Sequence, residues 1–136
     1  MSSSLRYPYV WLLSIVFLGV SFLSEGTALA QRKRARFVHK VPPTAKARNA
    51  IVIKGKVVLG EDLDYVELRF RELGSKNRFL SIKMKQKSGA FMSKIPGRKV
   101  LPPGIEYYVI GVSFSGKASI LAGSPSVPLQ FLIVDE

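Results

Sequence analysis

From Asn49 almost to its end the chain repeats with a period of two, and that alternation excludes most folds. Val66, Leu68 and Phe70 alternate with Glu67, Arg69 and Arg71, which puts an apolar set on one face of an extended segment and a charged set on the other. Ile51, Ile53, Val57 and Leu59 share one parity, while Lys54 and Lys56 share the other. Leu80, Ile82 and Met84 alternate with Ser81, Lys83 and Lys85. A helix needs apolar residues three and four apart, and no long stretch after Ala30 has that spacing. The chain beyond that point is read as all-β.

Turn residues cut the alternating runs into strands of ordinary length. Gly60 to Asp64, Gly74-Ser75-Lys76-Asn77, Lys87-Ser88-Gly89, Pro96-Gly97 and Pro102-Pro103-Gly104 each separate two runs, since glycine and proline impose backbone angles that a ladder does not accept. Between them lie a short strand from Ala90 to Ile95 and a run from Ile105 to Phe114 that is apolar on both faces, as expected of a central strand. Gly116, Gly123 and Pro125 mark a connection, and Val127, Leu129, Phe131 and Ile133 set a closing strand. Six strands, or seven with Phe37 to Val41, predict an antiparallel β-sandwich over residues 49–136, with an open OB-type barrel as the alternative. The sequence has no cysteine, so no disulfide or thiolate metal site contributes, and the apolar core alone must hold the fold.

Several of these segments together carry a resemblance. Tyr65-Val66-Glu67-Leu68-Arg69-Phe70-Arg71, the lysine-rich strand with Met84, Gly89-Ala90-Phe91 leading to Ile95-Pro96, and Pro102-Pro103-Gly104-Ile105-Glu106-Tyr107-Tyr108-Val109 resemble the immunoglobulin-like or fibronectin type III-like modules of bacterial exported proteins, over residues 49–134. The resemblance implies a sandwich that serves as a spacer, adhesion module or accessory subunit, and it carries no catalytic set.

The N-terminal thirty residues have a different character. Val10 to Leu23 is an unbroken apolar run that would span about 21 Å as a helix, short of the ~30 Å needed to cross a bilayer. Small residues follow at Ala28 and Ala30, suited to signal-peptidase subsites, so residues 1–30 are read as a signal peptide cleaved after Ala30. The expected location is periplasmic or secreted. An uncleaved anchor is the alternative, because Arg32, Lys33, Arg34 and Arg36 follow the run while Arg6 alone precedes it, against the positive-inside bias.

Charge directs the functional reading. The net charge is +12, and residues 31–48 carry Arg32, Lys33, Arg34, Arg36, Lys40, Lys46 and Arg48 with no acid. With Pro42-Pro43 blocking helix there, this stretch is read as a basic arm. Parity adds a second candidate: Lys54 and Lys56, Arg69 and Arg71, and Lys83 and Lys85, with Tyr65 and Phe79, would form one aromatic-basic face if their strands were neighbours. Such a face suits an anionic polysaccharide or lipid surface, an envelope protein, or less readily a nucleic acid.

Catalytic patterns are sparse. His39 is the sole histidine, read as a solvated residue of the arm, with no nucleophile beside it. Glu61, Asp62 and Asp64 are read as a polar turn, because their spacing matches no calcium loop, and Gly55-Lys56 and Gly116-Lys117 lack phosphate-loop spacing. The expectation is a noncatalytic exported binding, adhesion or accessory module with affinity for anionic surfaces, with no cofactor or metal. Its alternative is a nucleic-acid binder using the arm and the aromatic-basic face.

Overall fold

Alternation of apolar and polar residues becomes ten strands in two sheets, described here from a computed structural model over residues 34–60 and 62–135. In chain order they are β1 (Arg36–His39), β2 (Thr44–Lys46), β3 (Ile51–Val58), β4 (Leu63–Glu72), β5 (Leu80–Lys83), β6 (Lys85–Lys87), β7 (Ala90–Ile95), β8 (Gly104–Ser113), β9 (Ala118–Ala122) and β10 (Leu129–Val134). A 3-10 turn, Gly97–Lys99, joins β7 to the segment before β8. Among the described residues no helix is long and apolar enough to cross a membrane. Residues 1–30, read as a signal peptide with Ala28 and Ala30 at its cleavage site, lie outside the described residues, as do Arg32 and Lys33.

One sheet has the order β1-β3-β7-β6, and the other β2-β10-β8-β4-β5 with β9 also on β8. β8 is the hub. Its whole length pairs with β4 on one side, while the other side is shared by β10 over Gly104 to Tyr107 and by β9 over Val109 to Val112. Residues 104–111 are accordingly buried on both faces, as the two-sided apolar pattern of that run predicts.

The inward parity of both sheets meets in one core. Ile53 of β3 and Ile95 of β7 face Val66, Leu68 and Phe70 of β4, Ile105, Tyr107 and Val109 of β8, and Phe131 and Ile133 of β10. Each such aliphatic or aromatic side chain contributes about 1.5–3 kcal/mol on burial. The core therefore substitutes for the missing disulfides.

Four features depart from the sequence reading. The segment read as an arm supplies β1 and β2: Phe37 pairs with Val57 and is 5% exposed in the core. β2 lies parallel to β10, Ala45 opposite Ile133, so the strand pairing is not purely antiparallel. β9 occupies what was read as a connection. The strand read across Leu80 to Lys85 is two strands in different sheets. β5 pairs with β4 in one sheet and β6 with β7 in the other, and the chain crosses at Met84, whose side chain is buried and whose N–H donates to the Val66 carbonyl at 2.8 Å. Parity runs unbroken through such a crossing, because both strands keep alternate side chains inward, so no residue announces the change of partner.

Candidate functional site

The inward parity of β1 continues from Phe37 to His39, and this carries the histidine into the space between the sheets. His39 pairs with Gly55 of β3. A Cβ at Gly55 would stand 2.5 Å from Cζ of Phe37 and 2.8 Å from Cβ of His39, so glycine is what lets both rings settle against the strand. From the opposite sheet β8 brings Tyr107, which is fully buried. The His39 Nε2 and the Tyr107 hydroxyl lie 2.7 Å apart. Phe37 at 4.9 Å from the His39 ring and Phe131 at 5.9 Å from the Tyr107 ring, centroid to centroid, close the cluster.

Burial determines the protonation of this pair. It raises the Tyr107 phenol well above the ordinary tyrosine range, because phenolate would lose its hydration. It also lowers the His39 imidazole, against a smaller opposing effect from a hydrogen bond with the Phe37 backbone. At neutral pH both groups are uncharged, and in the tautomer that carries its proton on Nδ1 the phenol donates and Nε2 accepts. A neutral phenol with a base within hydrogen-bond reach can lose its proton without a buried charge being left unpaired.

The expected aromatic-basic face does not form as one surface, because β3 and β4 belong to different sheets. On the β4 side the cations are engaged within the fold. Arg71 pairs through Nε with the Glu106 carboxylate, donates to the Asn77 carbonyl at 3.0 Å, and lies 4.0 Å over the Phe79 ring. Arg69 donates to Glu67 at 3.3 Å and to the Tyr108 hydroxyl at 3.4 Å. Lys83 sits 4.6 Å over the Tyr65 ring.

The first sheet assembles a different set. Lys54 lies opposite Met92, and Met92 opposite Lys85, so Lys54 and Lys85 share the outer face, which Arg36, Lys56, Lys87 and Lys94 join by parity. β1, β3, β6 and β7 contain no acidic residue. Arg34 is exposed beside Ser119 and Ile120.

Among the described residues no three His, Asp or Glu side chains gather to hold a metal ion. With one histidine and no cysteine, the sequence cannot supply a set of several imidazole and thiolate ligands.

The fold nonetheless has a counterpart among solved structures. It is similar to superoxide reductase (neelaredoxin) from Ignicoccus hospitalis, with a TM-score of 0.53 and 13% identity, over 82% of this chain and 90% of that one. The likeness is one of fold. No family model and no curated protein matches the chain.

This likeness corrects two expectations. The noncatalytic binding or adhesion module with its nucleic-acid-binding alternative, and the absence of enzymatic activity, were inferred from charge, a fold-level resemblance and sparse catalytic patterns, whereas an enzyme is built on a similar fold. Strand patterns report how a core is buried, not what is attached to it. His39 is corrected as well: it is a half-buried strand residue bonded to Tyr107 rather than a solvated loop residue. The available signal was the alternation Phe37, His39, Val41 opposite a strand containing Gly55. Tyr107 offered none, being one apolar-face residue among several.

Proposed function

We propose that the chain is a redox protein whose working group is the Tyr107 phenol, with His39 as its proton acceptor and superoxide as its substrate. The observation that carries this reading is the 2.7 Å hydrogen bond between the two neutral side chains, one of them wholly enclosed. Oxidising a buried phenol without removing its proton would leave a cation in an apolar core, and a base in place avoids that cost. The fold likeness to superoxide reductase supports the choice of substrate, as does the net charge of +12, which attracts a small anion.

Tyr107 gives one electron and its phenolic proton, the proton moving to Nε2 of His39 and on to the reduced oxygen species. Superoxide gains that electron, that proton and a second proton from water, and leaves as hydrogen peroxide. A small-molecule one-electron reductant, such as an ascorbate or a thiol, returns an electron and a proton to the tyrosyl radical. Half-buried His39 is the solvent-facing end of the pair. The test is electron paramagnetic resonance under a steady superoxide flux: a tyrosyl signal present in the native chain and in Tyr65→Phe, and absent in Tyr107→Phe. A signal of equal size in Tyr107→Phe would overturn the proposal.

We further propose that residues 1–30 direct export and that the sandwich is immunoglobulin-like. The first rests on the apolar run and Ala28 and Ala30. The second is supported by the order β1-β3-β7-β6 opposite β10-β8-β4, which matches the ABED and GFC sheets of such domains. Mass spectrometry of the exported chain should give Gln31 as the first residue, and an intact N-terminus would exclude cleavage.

A further inference from the structure

A second site lies at the C-terminal end of β4, where two short connections line a cavity of about 290 Å³. One wall is the turn after β4. It is braced by three hydrogen bonds: Ser75 N–H to the Glu72 carbonyl at 3.0 Å, Asn77 N–H to Ser75 Oγ at 2.9 Å, and Arg71 to the Asn77 carbonyl at 3.0 Å. The other wall is the 3-10 turn Gly97–Lys99. Its Lys99 N–H donates to Pro96 and the following Val100 N–H to Gly97, while the Val100 carbonyl receives the Arg48 N–H at 2.8 Å. Val100 is fully buried beneath it. A Cβ at Gly97 would collide with the Arg48 carbonyl, so the turn is seated directly on the neighbouring chain.

These braced walls hold Arg78 on one side and Arg98 and Lys99 on the other. None of the three side chains has a hydrogen-bond or ion-pair partner among the described residues. Arg71 also lines the cavity, but its charge is matched by Glu106. Glu72 is the one acid in the lining, leaving an excess of positive charge that is never neutralised internally. A concave surface of one charge sign focuses its field into the cavity, and rigid walls lower the entropy cost of binding.

We propose that this cavity binds a phosphate monoester, with Arg78 and Arg98 clamping the phosphate oxygens and Lys99 adding a point charge. Two arginine forks presenting paired N–H donors suit a tetrahedral dianion better than a single carboxylate. Exposed Leu80 and Leu101 at the rim give the ester's organic part an apolar contact. The cavity is large enough for a phosphorylated small molecule and too small for a folded partner.

The test is calorimetric titration of the full chain at constant ionic strength with inorganic phosphate, glycerol 3-phosphate and acetate, and with phosphatidylcholine vesicles with and without phosphatidic acid. Phosphate and its ester should bind more tightly than acetate. Binding to the phosphatidic acid vesicles but not to the soluble esters would identify the phosphate as a lipid headgroup. Arg78→Ala with Arg98→Ala should weaken binding by about tenfold or more, since each charge-assisted bond contributes on that order. Lys54→Ala with Lys56→Ala, removing equal charge from the other sheet, should leave affinity unchanged. Equal losses in the two double variants, or acetate binding as tightly as phosphate, would overturn the proposal.

Discussion

The imidazole of His39 on β1 and the phenol of Tyr107 on β8 join the two sheets through one 2.7 Å hydrogen bond between residues 68 positions apart. The bond is structural as well as chemical. Tyr107→Phe keeps the ring and removes the donor, leaving Nε2 without its partner. The expected loss is about 0.5–1.5 kcal/mol of unfolding free energy, read from urea denaturation, and an unchanged midpoint would show that the pair contributes nothing to stability.

The same pair sets a pH window. His39 titrates below its usual 6.5 in the folded state, so its contribution is complete above pH 6.5 and is lost as the pH falls toward the folded value, because the unfolded chain takes up the proton first. Tyr107 titrates above its usual 10.0, so stability falls again above pH 10 as the unfolded chain ionises. Thermal unfolding across this range should show a plateau between the two limits. His39→Gln should flatten the acid side alone, and an unaltered acid slope in that variant would remove His39 from the account.

Glu106 is a carboxylate only 6% exposed, and Arg71 is its partner. Arg71→Ala leaves that charge buried without compensation, a change expected to cost about 3–5 kcal/mol. Arg71→Ala combined with Glu106→Gln should recover much of the loss, because the charge is gone. If guanidinium denaturation shows a single-variant loss below about 1 kcal/mol, water must already solvate Glu106.

Removing residues 31–48 tests whether this stretch is an arm or part of the fold. It contains β1, β2 and the buried Phe37, so the truncated chain should lose its cooperative transition in circular dichroism. Phe37→Ala, a milder probe, should cost about 3–5 kcal/mol. A truncated chain that still melts cooperatively would show that the two sheets close without these edge strands.

Legibility from sequence followed the range of each interaction. The runs at Val66 to Phe70 and Ile105 to Phe114 were readable because side-chain direction alternates by local geometry alone. β9 was missed because Ser119 and Ile120 are exposed and only Leu121 is buried, which leaves little alternation. The Met84 crossing was invisible because both sheets accept the same parity. Within the site, the residue type of His39 was conspicuous and its environment was not, since the glycine that admits it lies in another strand.

By itself the sequence determined an all-β pattern after Ala30, a core without disulfides and the inward residues of its clearly alternating runs, because burial parity is a property of neighbouring positions. Only the tertiary structure decided which strands adjoin. That choice separated Lys54 and Lys56 from Arg69 and Arg71, placed Lys54 and Lys85 on one face, and brought His39 to Tyr107. Hydrogen-bond pairing between distant strands depends on how the whole core closes, and no local pattern encodes it.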